Sequence, residues 1–242
     1  MKSSAESIIL SYHQSIALLK NLSSISPFKL ELEFGKFRCI VLDQFDKIVF
    51  QFNFPLCFPC YPSGQNLFGY ANSIPVVPIP YVVLLMHAGR AAFGYVINGD
   101  MKHHRVIRKY MVRKKQGKAQ YKFQKQKSAS SLGARIRMAN TQSFFDELNI
   151  KLQDWFNSNP VDRIIFSCPP VLWSMLFRSK VPPPFQKHDQ RLIKIPLHIP
   201  DPLLKTLLYI NRYTQTGRCL WFQQPGPDST IFKDFLFKSI NP

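Results

Sequence analysis

The chain has 242 residues, 45% of them hydrophobic and 21 of them Phe, so it can bury a large core and is neither a disordered tail nor a staple-dependent miniprotein. A formal net charge of +18 and a sequence pI near 9.9 go far beyond what solubility needs; they point to a polyanionic partner, nucleic acid ahead of an anionic membrane surface. Five cysteines, an odd number in a chain of this size, argue against a secreted disulfide framework and for a reducing, cytoplasmic setting.

Ile9, Tyr12, Ile16, Leu19 and Leu22 recur at spacings of three and four and predict an amphipathic helix ending before Pro27. Residues 1–26 are therefore read as an N-terminal helix and 27–242 as one further domain. Phe28, Leu30, Leu32 and Phe34 alternate with Lys29, Glu31 and Glu33, and Ile48, Phe50, Phe52 and Phe54 alternate with Val49, Gln51 and Asn53. Both runs read as half-buried strands, with 37–42 as a third between them. Prolines and turn formers across 55–80 predict an irregular excursion. Cys57 and Cys60 have the spacing of a redox motif there, but with no second pair for zinc they read as structural more readily than as a thiol oxidoreductase. The apolar stretch Ile74–Met86 carries three prolines and falls short of the ~18–20 apolar residues of a membrane span.

Runs at 82–86, 91–97 and 103–112 then predict a meander with turns at Ala88-Gly89 and Asn98-Gly99, the second being a strong hairpin signal. Phe145, Leu148, Leu152 and Trp155 mark a helix over about 140–157. A strand at 163–167, a helix at 171–177 and a strand at 192–197 follow, and Asp201-Pro202 has the form of an N-cap before a last helix. A meander followed by alternating helices and strands is an α/β pattern: a mixed β-sheet with packed helices, of the ribonuclease-H-like kind. His103 and His104 fall on opposite faces of a strand and read as structural, as do Trp155, Trp173 and Trp221, none of which lies in the basic stretch.

The charge is local. Thirteen of the 32 Lys and Arg lie between Lys102 and Arg137, with no acid between Asp100 and Asp146, so the rest of the chain carries a net charge of only +5. Composition alone allows a solvated loop without a partner, a passive RNA-binding arm or a membrane-surface patch, although Tyr121 and Phe123 are too few for an insertion face. The residue order adds a further reading. Gly117, Lys118, Ala119 and Gln120 form a tip with little side-chain bulk. Arg113, Lys114 and Lys115 before it, and Lys122, Lys125 and Lys127 after it, suffice to hold a phosphate backbone on both sides. Arg135 and Arg137 follow; two apart on a helix, they diverge.

The strand "RVIRKYMVRKKQGKAQ", the step "SASSLGARIR" and the segment "MANTQSFFDELNIKL" resemble the Vms-type release-factor-like (VLRF) domain, a family related to the central domain of eukaryotic and archaeal peptide-release factors. Tyr110, Arg113, Lys115, Gln116, Gly117, Lys118, Ala119 and Gln120 fall onto its loop motif. Lys118 stands where the release-factor Gly-Gly-Gln has its second glycine, and Ala119 where Ser is common. The resemblance implies a ribonuclease-H-like core. It also implies a ribosome-associated peptidyl-tRNA hydrolase that frees nascent chains from stalled ribosomes or large subunits, with the large subunit, rRNA and peptidyl-tRNA as partners and neither DNA nor a membrane among them. No metal or cofactor is expected. A glutamine amide does not titrate near neutral pH, so Gln120 would act by position rather than as a base. The release-factor analogy has it orient water and bind the developing oxyanion, worth about 3–4 kcal/mol of barrier. A tRNA endonuclease cutting near the CCA end and a non-catalytic ribosome- or RNA-binding protein are the rival readings.

Overall fold

The computed structural model describes residues 5–22, 28–33, 36–61, 66–111 and 132–222, with 235 and 238. Two compact units emerge, one from Met1–Ile79 with Ile210–Pro242, the other from Pro80–Tyr209. The predicted first helix lies within the first unit.

The first unit is built on an antiparallel sheet of order β1-β10-β4-β3-β2, formed by β1 (Ala5–Leu10), β2 (Lys29–Glu33), β3 (Arg38–Leu42), β4 (Ile48–Asn53) and β10 (Gly217–Phe222). β1 and β10 pair with each other and are absent from the sequence reading, which placed Ile9 on the helical stripe; Ile9 lies in β1 and is exposed. Helix α1 (Tyr12–Leu22) buries Tyr12, Leu18, Leu19 and Leu22. Gly217 is required where α1 comes down on this sheet, because a Cβ there would meet the Ser15 hydroxyl and lie 2.6 Å from the Phe52 ring. β4, expected to be half-buried, is buried on both faces: beside Phe50 and Phe52, Val49 is inside, and so is Gln51, which accepts from Arg38 at 2.8 Å and donates to Asn53 at 2.9 Å. The excursion over 55–80 contains a short helix, α2 (Leu67–Ser73), whose start is fixed by the Asn66 side chain accepting from Gly69 N at 2.7 Å.

In the second unit the sheet order is β7-β6-β5-β8-β9. The meander β5 (Tyr81–His87), β6 (Arg90–Ile97), β7 (Asp100–Arg108) is antiparallel, and β8 (Arg163–Ser167) and β9 (Leu192–Lys194) add in parallel beside β5. Three meander strands at one side and two parallel strands reached through helices at the other make the mixed, ribonuclease-H-like sheet that the pattern implied. Asn98 and Gly99 both have positive φ, as a two-residue hairpin turn demands. β9 is shorter than predicted: Ile195 N still donates to Phe166 O at 2.8 Å, and Pro196 then has no N–H to continue. α4 (Pro170–Phe177) matches its prediction to within a residue. The last helix, α5, covers Leu204–Thr214, residues 204–209 belonging to this unit and 210–214 to the first, and Asp201 is not its cap; the Asp201 carboxylate pairs with Arg90, and its carbonyl accepts from Thr206 Oγ1 at 3.0 Å.

The dominant element is α3 (Leu132–Ser158), 27 residues and about 40 Å long. Phe144, Leu148, Leu152 and Trp155 form its buried stripe and share one core with Val82, Leu84, Met86, Ala91, Phe93, Tyr95 and Ile107, the side chains of one sheet face. Each fully buried Leu or Phe in such a cluster contributes about 1.5–3 kcal/mol. Polar ties hold one flank of α3 to the end of α4 and the segment after it: Asn149 Nδ2 donates to Val181 O (2.7 Å) and Leu176 O (3.1 Å), and Gln153 to Pro182 O (2.7 Å). Asp146 accepts from Ser179 Oγ (2.7 Å) and Gln142 (2.9 Å). Burial alone would raise the Asp146 carboxyl, but these hydrogen bonds, the Val181 N–H and the charge of Lys180 outweigh it and hold the carboxyl below its ordinary range.

Two outcomes follow for this unit. Stability contributed by Asp146 is complete above its unfolded-state pKa near about 3.9 and is lost as the pH falls through the lower folded-state value. Urea titrations from about pH 5 downward should therefore show wild type losing stability more steeply than Asp146→Asn; parallel losses would refute the tie. At the Ala88-Gly89 turn, Gly89 has φ +74°, and an added Cβ would sit 2.5 Å from the Lys109 carbonyl oxygen. Gly89→Ala is expected to lower stability by about 1–3 kcal/mol, read as a shifted denaturant midpoint at unchanged m-value.

Candidate nucleic-acid interface

Arg113, Lys114, Lys115, Gly117, Lys118, Ala119, Gln120, Lys122, Lys125 and Lys127 lie outside the described residues, as do Tyr121 and Phe123. The structure describes the two stems that carry them, the end of β7 with residues 109–111 and the beginning of α3. Past the last strand residue, Arg108, the backbone keeps contact with the sheet: Lys109 N donates to Gly89 O at 2.9 Å. Met111 is 8% exposed and belongs to the sheet–helix core, so the first stem is fixed up to the last described residue before the basic stretch.

The second stem grips the first. Asn140, Ser143 and Glu147 stand three and four residues apart and share one flank of α3. Asn140 Nδ2 donates to Tyr110 O at 3.0 Å, and Lys109 Nζ donates to Ser143 Oγ at 2.9 Å. Glu147 spreads its carboxylate over two cations, Oε2 at 3.1 Å from Lys109 Nζ and Oε1 at 3.3 Å from Arg105 Nη2. Partial burial pushes the Glu147 carboxyl up, but the hydrogen bonds and charges of Lys109 and Arg105 exceed that effect and leave it below the ordinary carboxylate range. Pairs this exposed contribute only about 0–1 kcal/mol each. The fit of the stems therefore rests mainly on the apolar core, and the carboxylate sets their charge and register.

Sequence reasoning missed Asn140, Ser143 and Glu147. The available signal was that Asp146 and Glu147 are the first acids after Asp100, which makes them the first counter-ions to follow the basic stretch in the sequence.

Arg135 and Arg137 are both on the described part of α3 and diverge as expected. Arg135 is exposed on the side that continues through Ala139, Gln142 and Asp146; Arg137 is half-buried on the side that continues into Phe144 and Leu148. Ile136 and Met138, 47% and 67% exposed, accompany them, so this first part of the helix offers cations and apolar surface together. His103 packs in an aromatic row, its ring stacked with Tyr95 and with Trp155 at 6.2 Å in both cases. Trp155 and Trp221 are each 5% exposed, and Trp173 stacks on Phe166 at 4.2 Å, so all three tryptophans are packing residues. Cys57 is buried and Cys60 half-buried in the first unit, and the cysteines form no disulfide. Among the described residues, no helix is long and apolar enough to cross a membrane, and no three His, Cys, Asp or Glu side chains are grouped to hold a metal ion.

No curated protein matches the chain. Among solved structures, the "Vms1 mitochondrial localization core" is similar, with a TM-score of 0.46 and 12% identity over 84% of this chain and 80% of that one. The family model described as "Bacteroidetes VLRF1 release factor" matches residues 81–218, which take in the second sheet, α3, α4, both stems and the basic stretch between them. With more than half of its residues in that match, including all but the first residue of the second unit, the chain belongs to the Bacteroidetes VLRF1 release-factor family.

Proposed function

We propose that the protein is a ribosome-associated peptidyl-tRNA hydrolase that releases nascent chains from stalled ribosomes or large subunits in the cytoplasm. The observation that carries this reading is the release-factor family match across the whole loop-bearing unit. The joined stems support it, since a loop that must enter a confined RNA cavity needs a defined point of departure. Gln120, with Gly117, Lys118 and Ala119 around it, would meet the ester between peptide and terminal ribose. Its amide or backbone N–H supplies a preorganised donor to the developing oxyanion and orients water, a contribution of about 3–4 kcal/mol. The proton passes to the substrate's own 2′-hydroxyl or to ribosomal groups, because an amide cannot take it. Arg113, Lys114, Lys115, Lys122, Lys125, Lys127, Arg135 and Arg137 neutralise rRNA and tRNA phosphates around the path, which makes binding steeply salt-dependent.

Gln120→Ala is expected to lower the rate of release from peptidyl-tRNA on stalled large subunits by about 100- to 1,000-fold while subunit binding is retained. Unchanged release refutes catalysis by this glutamine, and release that was never present in wild type favours a non-catalytic ribosome-binding protein. The chemical form of the tRNA after reaction separates the two cleavage chemistries: an intact CCA end indicates ester hydrolysis, and a shortened one a nuclease.

A further inference from the structure

Between Asp100 and Asp146 the chain holds thirteen cations and no acid, yet two cations leading into the basic stretch, Arg105 and Lys109, are not bare. Glu147 holds both Arg105 and Lys109. A carboxylate that accepts from a guanidinium and an ammonium at once occupies the positions that two oxygens of a phosphodiester would take. The pairs are accessible, with Arg105 58% and Lys109 27% exposed at the side chain and Glu147 36% exposed. An open groove of about 730 Å³ along the outward side of α3 is lined by both Arg105 and Glu147, so a ligand has room to reach the pair. The acids of that groove are already engaged, Asp146 by Ser179 and Gln142, and Glu147 by the two stem cations.

From this geometry we infer that Glu147 is a specificity-determining residue, an internal stand-in for phosphate. It masks Arg105 and Lys109 from RNA at large and yields them only to a phosphate backbone held against the stems. The inference rests on the RNA-contacting reading of the basic stretch. An unmasked stem would add two cations to an already strongly basic surface and raise its affinity for every RNA in the cell; the exchange confines their contribution to a backbone that the rest of the surface already holds in register. Because the pair sits at the stems rather than at the tip, it governs which RNA is retained and takes no part in the bond-breaking step.

The test compares the full chain with Glu147→Gln, a shape-preserving change, for binding to a generic single-stranded RNA across a series of KCl concentrations. Two unmasked cations make the slope of log K against log salt more negative by about 1.4, so that affinity falls about sevenfold further than in wild type between 50 and 200 mM salt. Preference for isolated large subunits over generic RNA falls correspondingly. Parallel slopes for the two proteins, with only a lowered thermal midpoint in the variant, would make Glu147 a structural tie and overturn the inference. Should Glu147→Gln not fold, Glu147→Asp serves: its shorter carboxylate reaches one cation at most and should give a slope between the two, and a wild-type slope overturns the inference equally. Failure of the underlying reading looks different, because wild type itself then binds neither generic RNA nor large subunits.

Discussion

The second unit depends on the burial of one helical stripe. Phe144, Leu148, Leu152 and Trp155 fix α3 against the sheet face made by β5, β6 and β7, each contributing on the scale of a fully buried apolar side chain. Once that stripe is seated, the azimuth of every other residue of α3 is determined by the helical period. One flank, with Asp146, Asn149 and Gln153, meets the backbone after α4; the other, with Asn140, Ser143 and Glu147, meets the end of β7. The polar contacts of the stems are thus a consequence of apolar packing, which explains how interactions that are weak individually can still define a geometry.

Much of this arrangement was legible in the chain. The Asn98-Gly99 hairpin, the meander strands and the buried half of α3 follow from turn chemistry and from the two hydrophobic periods, which physical chemistry imposes locally. Leu132–Ala139 was not recognised as helix because its sequence shows no apolar periodicity; Leu, Ala, Arg and Met favour helix intrinsically, but they leave no periodic mark. β1 and β10 escaped for a different reason: six-residue segments from opposite ends of the chain become strands only by pairing with each other. Asp201 looked like an N-cap until Arg90, 111 residues away, was seen to claim it. The basic stretch itself was visible as charge, glycine and glutamine, whereas the pairing of Glu147 with Arg105 was hidden because the two are 42 residues apart.

The two units also divide chemically. The first is an antiparallel sheet with aromatic packing among Phe52, Phe54, Phe58 and Tyr70, and only its residues 210–218 fall within the family match. The second carries the matched sequence and the concentrated charge. The sheet and α3 of the second unit thus form a packed base on both sides of the basic stretch.

That stretch has unequal footings. Met111 is sunk in the core, but Leu132 begins α3 twelve residues before Phe144, the first residue of its buried stripe, a distance of about 18 Å along the axis. One foot stands on the floor and the other on a mast. Adding or deleting a single residue in the mast would swing its top by about 100° and move it about 1.5 Å, so evolution has far more latitude over which side chains the mast bears than over how many.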